Sequence, residues 1–171
     1  MAVRLAHHGR QKARSSEYIE HRQCPPLLQD IISVKGEHGS TCIISCADMR
    51  VDPRDFCGLQ LGEAKVIRNA GGRTFDAKRS LAVMGTIAPL AMIVVTAAGC
   101  AQLMNKSIFG SESEPLPTRT RSNMRFGTFF SIDESLRQDV AESKIGTFWP
   151  RTQIVGYAVD IVTGEIHEVV P

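Results

Sequence analysis

Short apolar runs recur along the chain and predict the strands of a β-sheet. Strands are expected at residues 41–45, Ala64–Asn69 and residues 91–96, since turn or small polar residues follow each run. Near-continuous apolar strands are typical of parallel sheets that are covered on both faces. Further along, residues 153–160 and Ile166–Val170 flank Thr163-Gly164, a pattern that predicts an antiparallel hairpin.

Segments with helical spacing alternate with these strands. Apolar positions in residues 76–87 recur at helical intervals and stop before Pro89, which predicts a helix there. A second amphipathic helix is predicted over residues 132–143, and residues 53–59 have room for one or two helical turns. Residues 15–33 are interrupted at Pro25-Pro26, which predicts a helical arm, a turn and a short helix over 27–32.

The alternation of strands and helices places the chain in the α/β class. It predicts a mostly parallel central sheet flanked by helices, with a C-terminal antiparallel edge strand. A length of 171 residues suits a single domain over 1–171. Within it, residues 1–33 are expected to form an N-terminal arm. The segment 110–127, rich in Gly, Ser and Pro, is expected to be a mobile loop.

Composition and charge argue against several classes of function. A net charge of +2 and an aromatic content of 6% do not favour a nucleic-acid binder. No apolar run approaches the ~20 residues that cross a bilayer, so no membrane partner is expected. The basic residues within 1–16 suggest a basic arm or a weak organelle-targeting segment, and the cytoplasm is the expected compartment. Five cysteines without a secretory signal favour free thiols or metal ligands.

Residues with chemical potential collect just after the predicted strands. They are Cys46, Asp48 and Arg50 after the first strand, Asn69, Gly71 and Gly72 after the second, and Ala97, Ala98 and Cys100 after the third. Parallel sheets bind ligands outside the carboxyl ends of their strands, so these residues are expected to converge on one site. Taken alone, the cysteines have a second interpretation as small buried apolar residues, and the glycines as parts of a tight turn.

The same motifs resemble those of the β-class carbonic anhydrases. Residues 46–50, Cys-Ala-Asp-Met-Arg, match the Cys-x-Asp-x-Arg motif of that family, and residues 66–73 contain its Arg-Asn-Ala-Gly strand end. The third motif of the family is His-x-x-Cys, and here Ala97 stands three positions before Cys100 in place of the histidine. The next threonine of the family pattern is replaced by Ala98. The resemblance implies the fold of that family, an altered zinc site, and assembly as a homodimer or a multiple of one.

The resemblance also implies the ligands of a possible zinc ion. Cys46 and Cys100 match the two thiolate ligands, whereas Ala97 has no donor atom. A catalytic zinc takes three protein ligands and keeps one position open. Asp48 is the candidate third ligand, because the matching aspartate moves onto zinc in some members of the family. Alternatively, Asp48 stays paired with Arg50 and orients a bound hydroxide, or the two form a purely structural ion pair.

Three functions are consistent with this sequence. The first is a repurposed enzyme that acts on a small carbonyl or carboxylate compound by hydration, dehydration, hydrolysis or decarboxylation, with little or no hydration of carbon dioxide. The second is a genuine zinc carbonic anhydrase with the ligands Cys46, Cys100 and Asp48. The third is a non-catalytic binding or assembly relative. In the first, Asp48 and Arg50 are the catalytic residues, and the substrate pocket is formed by Asn69, Gly71, Gly72, Ala97 and Ala98.

Overall fold

The computed structural model describes residues 2–99, 127–144 and 151–171. Its helices are α1 (Ala2–His21), α2 (Leu28–His38), α3 (Pro53–Phe56), α4 (Thr74–Ile87) and α5 (Ile132–Lys144). Its strands are β1 (Ser40–Cys46), β2 (Ala64–Asn69), β3 (Leu90–Ala98), β4 (Gln153–Val159) and β5 (Ile166–Val170).

The five strands form one sheet in the order β2-β1-β3-β4-β5. The pairs β1–β2, β1–β3 and β3–β4 are parallel, and only β5 runs antiparallel to its neighbour β4. The prediction of a mostly parallel sheet with an antiparallel edge strand is therefore confirmed. Chain order changes direction between β1 and β3, and such switch points in open α/β sheets form a crevice at the carboxyl ends of the strands.

Helices α4 and α5 cover one face of the sheet. Apolar side chains of β1 and β3, including Ile44, Ile93 and Val95, are fully or almost fully buried there. They pack in one cluster with Leu81 of α4 and Leu136 of α5. Burial of one such side chain contributes about 1.5–3 kcal/mol, so this cluster fixes both helices on the sheet.

The turn from β2 into α4 depends on two glycines. Gly71 and Gly72 have φ angles of 78° and 67°, in the region that glycine adopts without strain. A Cβ at Gly72 would lie 2.8 Å from the carbonyl oxygen of Thr96 and 3.1 Å from the nitrogen of Cys46. The chain therefore passes directly over the ends of β1 and β3, which requires glycine at this position.

The N-terminal helices differ from the prediction. Helix α1 begins at Ala2, well before residue 15, and α2 continues beyond residue 32 to His38. Gly36 lies inside α2, and the helix ends at Gly39, whose φ of 74° lets its N–H bond the carbonyl of Lys35 at 2.9 Å.

Two other expectations are addressed only in part. Most of the predicted mobile loop 110–127 lies outside the described residues. No helix among the residues that the structure describes is long and apolar enough to cross a membrane.

Candidate functional site

Five side chains lie in one row across the sheet at the carboxyl ends of its parallel strands. Cys46 is level with Asn69, and continuing the β1–β3 register two residues beyond the pair of Ile44 and Val95 places Cys46 level with Ala97. Ala97 is level with Ala158, and Ala158 with His167. Residues that are level in adjacent strands point to the same face of a sheet. We call this set, in the order Asn69, Cys46, Ala97, Ala158 and His167, the edge row.

Cys46 is the buried centre of the site. It ends β1 with 2% of its surface exposed. Its Sγ accepts a hydrogen bond from the backbone N–H of Asp48 at 3.4 Å. The structure therefore places the sulfur beside the main chain of Asp48.

Asp48 and Arg50 form a two-pronged ion pair. Arg50 donates from Nε to Oδ1 at 3.0 Å and from Nη2 to Oδ2 at 2.6 Å, and its backbone N–H also bonds Oδ1 at 3.0 Å. These hydrogen bonds, aided by the positive charge, lower the pKa of Asp48 to about 2. Asp48 is thus an ionised acceptor at neutral pH, with both of its oxygens engaged by Arg50.

Arg68 holds the loop that carries these residues. Its Nε donates to the carbonyl of Cys46 at 3.1 Å, and its Nη2 donates to the carbonyls of Asp48 and Val51 at 2.6 Å each. Sequence reasoning placed Arg68 in a family motif but assigned it no role. No local sequence pattern reveals the role of Arg68, because the three carbonyls that it contacts lie 17 to 22 residues earlier in the chain.

Asn69 stabilises the turn beside the site and does not point an unused amide at it. Its Oδ1 accepts the backbone N–H of Arg73 at 2.7 Å, and its Nδ2 donates to the carbonyl of Arg73 at 2.8 Å. This pair of bonds encloses Gly71 and Gly72, which lie between the two residues. The three predicted pocket residues from this motif therefore form one closed turn against the strand ends.

The two alanines of the altered motif lie on opposite faces of the sheet. Ala97 is 4% exposed and belongs to the same buried cluster as Ala158. Ala98 is also buried, but it packs with Val51 and Val159 in a separate cluster. Only Ala97 therefore lies on the face that Cys46 occupies. Cys100 lies outside the described residues.

Several known proteins are similar to this chain in sequence or in fold. No protein-family model matches the sequence. β-Carbonic anhydrase 1 of Mycobacterium tuberculosis is 29% identical over 132 residues, which cover 75% of this chain and 81% of the relative. A carbonic anhydrase of Streptococcus mutans superposes with a TM-score of 0.71 at 26% identity, covering 94% of this chain and 95% of its own. The carbonic anhydrase of Glaciozyma antarctica superposes with a TM-score of 0.68 at 27% identity, covering 90% of this chain and 99% of its own.

In sequence and in fold, the chain is similar to β-carbonic anhydrases. The same fold extends to a carbon disulfide hydrolase, which superposes with a TM-score of 0.59 at 17% identity and covers 92% of this chain and 90% of its own. The resemblance found in the motifs at residues 46–50 and 66–73 is thus confirmed, and the strands that carry both motifs are in place.

The β-carbonic anhydrase family implies zinc, and the described residues supply only part of a site for it. The thiol of Cys46 and the carboxylate of Asp48 are the donors near the end of β1, and Ala97 adds none. Among residues 2–99, 127–144 and 151–171, no three His, Cys, Asp or Glu side chains are grouped so that they hold a metal ion. Two donors fall short of the three that a catalytic zinc takes, so the described residues alone do not fit the ion.

His167 is a further residue of the edge row, and the sequence motifs assign it no role. Its side chain is 63% exposed, and its Nε2 lies 3.9 Å from Oδ1 of Asp133 at the start of α5. The register of the terminal hairpin brings it level with Ala158. A hairpin prediction alone does not give that register.

Proposed function

We propose that this chain is an enzyme that acts on a carbonyl or carboxylate compound larger than carbon dioxide. The reaction is a hydration, dehydration, hydrolysis or decarboxylation, with little or no hydration of carbon dioxide. The observation that carries the proposal is the position of Ala97, level with Cys46 on the same face, where the family has its zinc-binding histidine.

Small residues beside Cys46 support a larger substrate. After Ala97 the edge row continues with Ala158, and a cavity of about 270 Å³ lies over Ala158. A methyl group in place of an imidazole removes both a metal ligand and side-chain volume next to Cys46. The replacement therefore weakens the metal site and widens the substrate site together.

The ion pair of Asp48 and Arg50 gives this site a fixed acceptor. A carboxylate with a pKa of about 2 is a weak proton acceptor at neutral pH, so Asp48 is suited to orient a water molecule or a substrate N–H or O–H. Arg68 holds the carbonyls on both sides of it, which keeps the carboxylate in one place. Positioning of this kind accelerates the attack of water on a carbonyl carbon.

A second candidate function is zinc-dependent hydration of carbon dioxide. The names of the similar proteins support it, and so does the contact between the Asp48 N–H and Cys46 Sγ, which keeps the aspartate near the sulfur. In this case Cys46, Cys100 and Asp48 would be the residues that hold the metal, and zinc would supply an activated water for the hydration.

Restoring the imidazole separates the two candidates. We expect the unmodified protein to hydrate carbon dioxide slowly or not at all in a stopped-flow assay, and Ala97→His to gain activity together with bound zinc. Ala97→Leu is the control, because it fills the same space without a donor atom. Rates typical of carbonic anhydrases in the unmodified protein would overturn the first candidate in favour of the second.

We also propose that the chain assembles as a homodimer or a multiple of one. Six large apolar side chains of the N-terminal region are 41% to 67% exposed, namely Tyr18, Ile19, Leu27, Leu28, Ile32 and Val34. Apolar residues gathered on an arm in this way are typical of a segment that packs against a partner. The β-carbonic anhydrases of Sordaria macrospora, which share the fold at 12% identity, are named as tetrameric.

A further inference from the structure

Arg73, at the end of the glycine turn beside the candidate site, is a buried cation with contacts on several sides. Only 3% of its surface is exposed, and its Nε lies 2.9 Å from Oδ2 of Asp139 on α5. Its Nη1 donates to the hydroxyl of Ser135 at 2.8 Å and to the carbonyl of Gly127 at 2.9 Å. Two phenylalanine rings lie 5.6 and 5.9 Å from the guanidinium carbon, within the range of cation–π attraction. These contacts hold the Arg73 side chain in one conformation against α5.

The backbone of Arg73 closes the turn that covers Cys46. Its N–H and its carbonyl both bond the side chain of Asn69, at 2.7 and 2.8 Å. Between these two residues, Gly72 lies so close to the strand ends that a Cβ on it would be 3.1 Å from the nitrogen of Cys46. Cys46 itself is only 2% exposed. The residue that α5 holds by its side chain is thus the one that closes the turn by its main chain.

Asp139 holds the same turn through a second contact. Its Oδ1 accepts the backbone N–H of Thr74, the first residue of α4, at 2.8 Å. The N–H groups at the start of a helix have no partner within the helix, so this carboxylate serves both the guanidinium and the helix. A buried ion pair contributes no more stability than well-packed apolar residues of similar volume. A charged pair at this place is therefore better explained by the geometry that it imposes on the turn.

We propose that Arg73 is a positioning residue of the candidate site, which holds the turn from Asn69 to Arg73 against Cys46. The inference deepens the proposed function, on which it rests, by adding a residue to the same site. The guanidinium is bound on the α5 side, so its effect on Cys46 passes through the backbone of the turn. Without its contacts, the turn should open locally and expose the sulfur while the rest of the fold persists.

Alkylation of Cys46 by iodoacetamide tests this role. The modified peptide is quantified by mass spectrometry, and the rate is measured at increasing urea concentrations below the unfolding transition. Local opening gives a rate that hardly depends on urea, whereas global unfolding gives a rate that rises steeply with it. We expect Arg73→Lys to raise the urea-independent rate roughly tenfold or more, because lysine lacks the planar fork that reaches several partners at once.

Two further variants separate positioning from stability. Leu136→Ala removes a fully buried side chain from α5 and should raise only the urea-dependent rate, since it weakens the core without touching the contacts of Arg73. Asn69→Ala opens the turn directly. In the Asn69→Ala background, Arg73→Lys should change the rate less than about twofold, because the two changes act through the same turn.

Three results would overturn the inference: an unchanged rate in Arg73→Lys, an equal urea-independent rise in Leu136→Ala, or a full effect of Arg73→Lys in the Asn69→Ala background. If Arg73→Lys does not fold, Ser135→Ala decides by the same comparisons. It removes one acceptor of the guanidinium and should raise the urea-independent rate about threefold or more. Alkylation needs no substrate, so failure here leaves the proposed function standing, whereas failure of the function shows in the carbon dioxide assay of Ala97→His.

Discussion

The guanidinium of Arg73 and the carboxylate of Asp139 meet at 2.9 Å with 4% and 3% of their side chains exposed. Arg73 also donates to the hydroxyl of Ser135 at 2.8 Å and to the carbonyl of Gly127 at 2.9 Å. Asp139 accepts the backbone N–H of Thr74 at 2.8 Å. This buried ion pair joins the start of α4, next to the candidate site, to the middle of α5.

Removing one partner of this pair should destabilise the protein strongly. We expect Asp139→Ala to lower the free energy of unfolding by about 3–5 kcal/mol, because it leaves the buried Arg73 charge without a counter-ion. Glu142 lies on α5 like Asp139 and forms a more exposed ion pair with Lys78 of α4. Glu142→Ala should therefore lower the free energy of unfolding by about 1 kcal/mol or less. Urea denaturation measures both. Equal losses of unfolding free energy in the two variants would show that the buried pair stabilises the protein no more than the exposed pair does.

The pKa of Asp48 should depend on Arg50. In Arg50→Gln we expect it to rise from about 2 towards its ordinary value of 3.8, since the two-pronged bond that favours the carboxylate is lost. Because folding lowers this pKa, the stability that it contributes is complete above about pH 4. That stability disappears as the pH falls through about 2. Carbon-detected NMR titration of the carboxyl groups checks the shift, and an unchanged pKa in the variant would contradict it.

Arg68 should act through the order of the Cys46 to Val51 loop. We expect Arg68→Gln to speed hydrogen exchange at the amides of Asp48 and Val51 at least tenfold, because three carbonyl contacts are lost at once. Arg68→Lys should give an intermediate effect, since lysine has no planar fork to bridge separate carbonyls. Arg54→Gln, an exposed arginine on the neighbouring α3, is the control and should leave these amides unchanged.

Zinc content distinguishes the roles of Asp48. If the purified protein holds zinc, Cys46→Ser and Cys100→Ser should each release it, because a neutral hydroxyl is a much poorer ligand than a thiolate. Asp48→Asn should then release zinc as well if Asp48 is a ligand. It should lower zinc affinity by only about 10–100-fold if Asp48 stays beside Arg50. Elemental analysis measures each case, and zinc that survives both cysteine changes would exclude the site.

The exposed apolar residues of the first two helices should be covered in solution. We expect sedimentation of the unmodified protein at micromolar concentration to give twice the mass of the chain or a multiple of it. Replacing Leu28 and Ile32 together by Glu should shift the equilibrium towards the monomer, since buried carboxylates oppose association. The same double change should leave the sheet and its core intact. A monomer in the unmodified protein would defeat the proposal.

The sequence predicted the fold well where local signals decide it. Strand β2 lies at the predicted residues, because Gly62 precedes its apolar run and Gly71-Gly72 closes it. Helix α2 was predicted too short, since it continues past residue 32 and ends only where the backbone N–H of Gly39 bonds the carbonyl of Lys35. Local pattern therefore gave the elements, and backbone conformation decided their ends.

Contacts in and around the candidate site were predictable only between residues that are close in sequence. Cys46, Asp48 and Arg50 are close in sequence, and the predicted pairing of the carboxylate and the guanidinium is present. Arg73 and Asp139 are 66 positions apart, and their meeting depends on how α4 and α5 pack together. The same holds for His167, whose place in the edge row depends on strand register.

The contact between position 72 and the strand ends has a consequence for directed evolution of this protein. A gene library that randomises codons 97 and 158 explores the floor of the site without touching the backbone. The same treatment of codon 72 would return glycine in the surviving clones, since any Cβ there meets the Thr96 carbonyl at 2.8 Å. New specificities in this scaffold are therefore to be sought along the sheet floor, with the turn above it left unchanged.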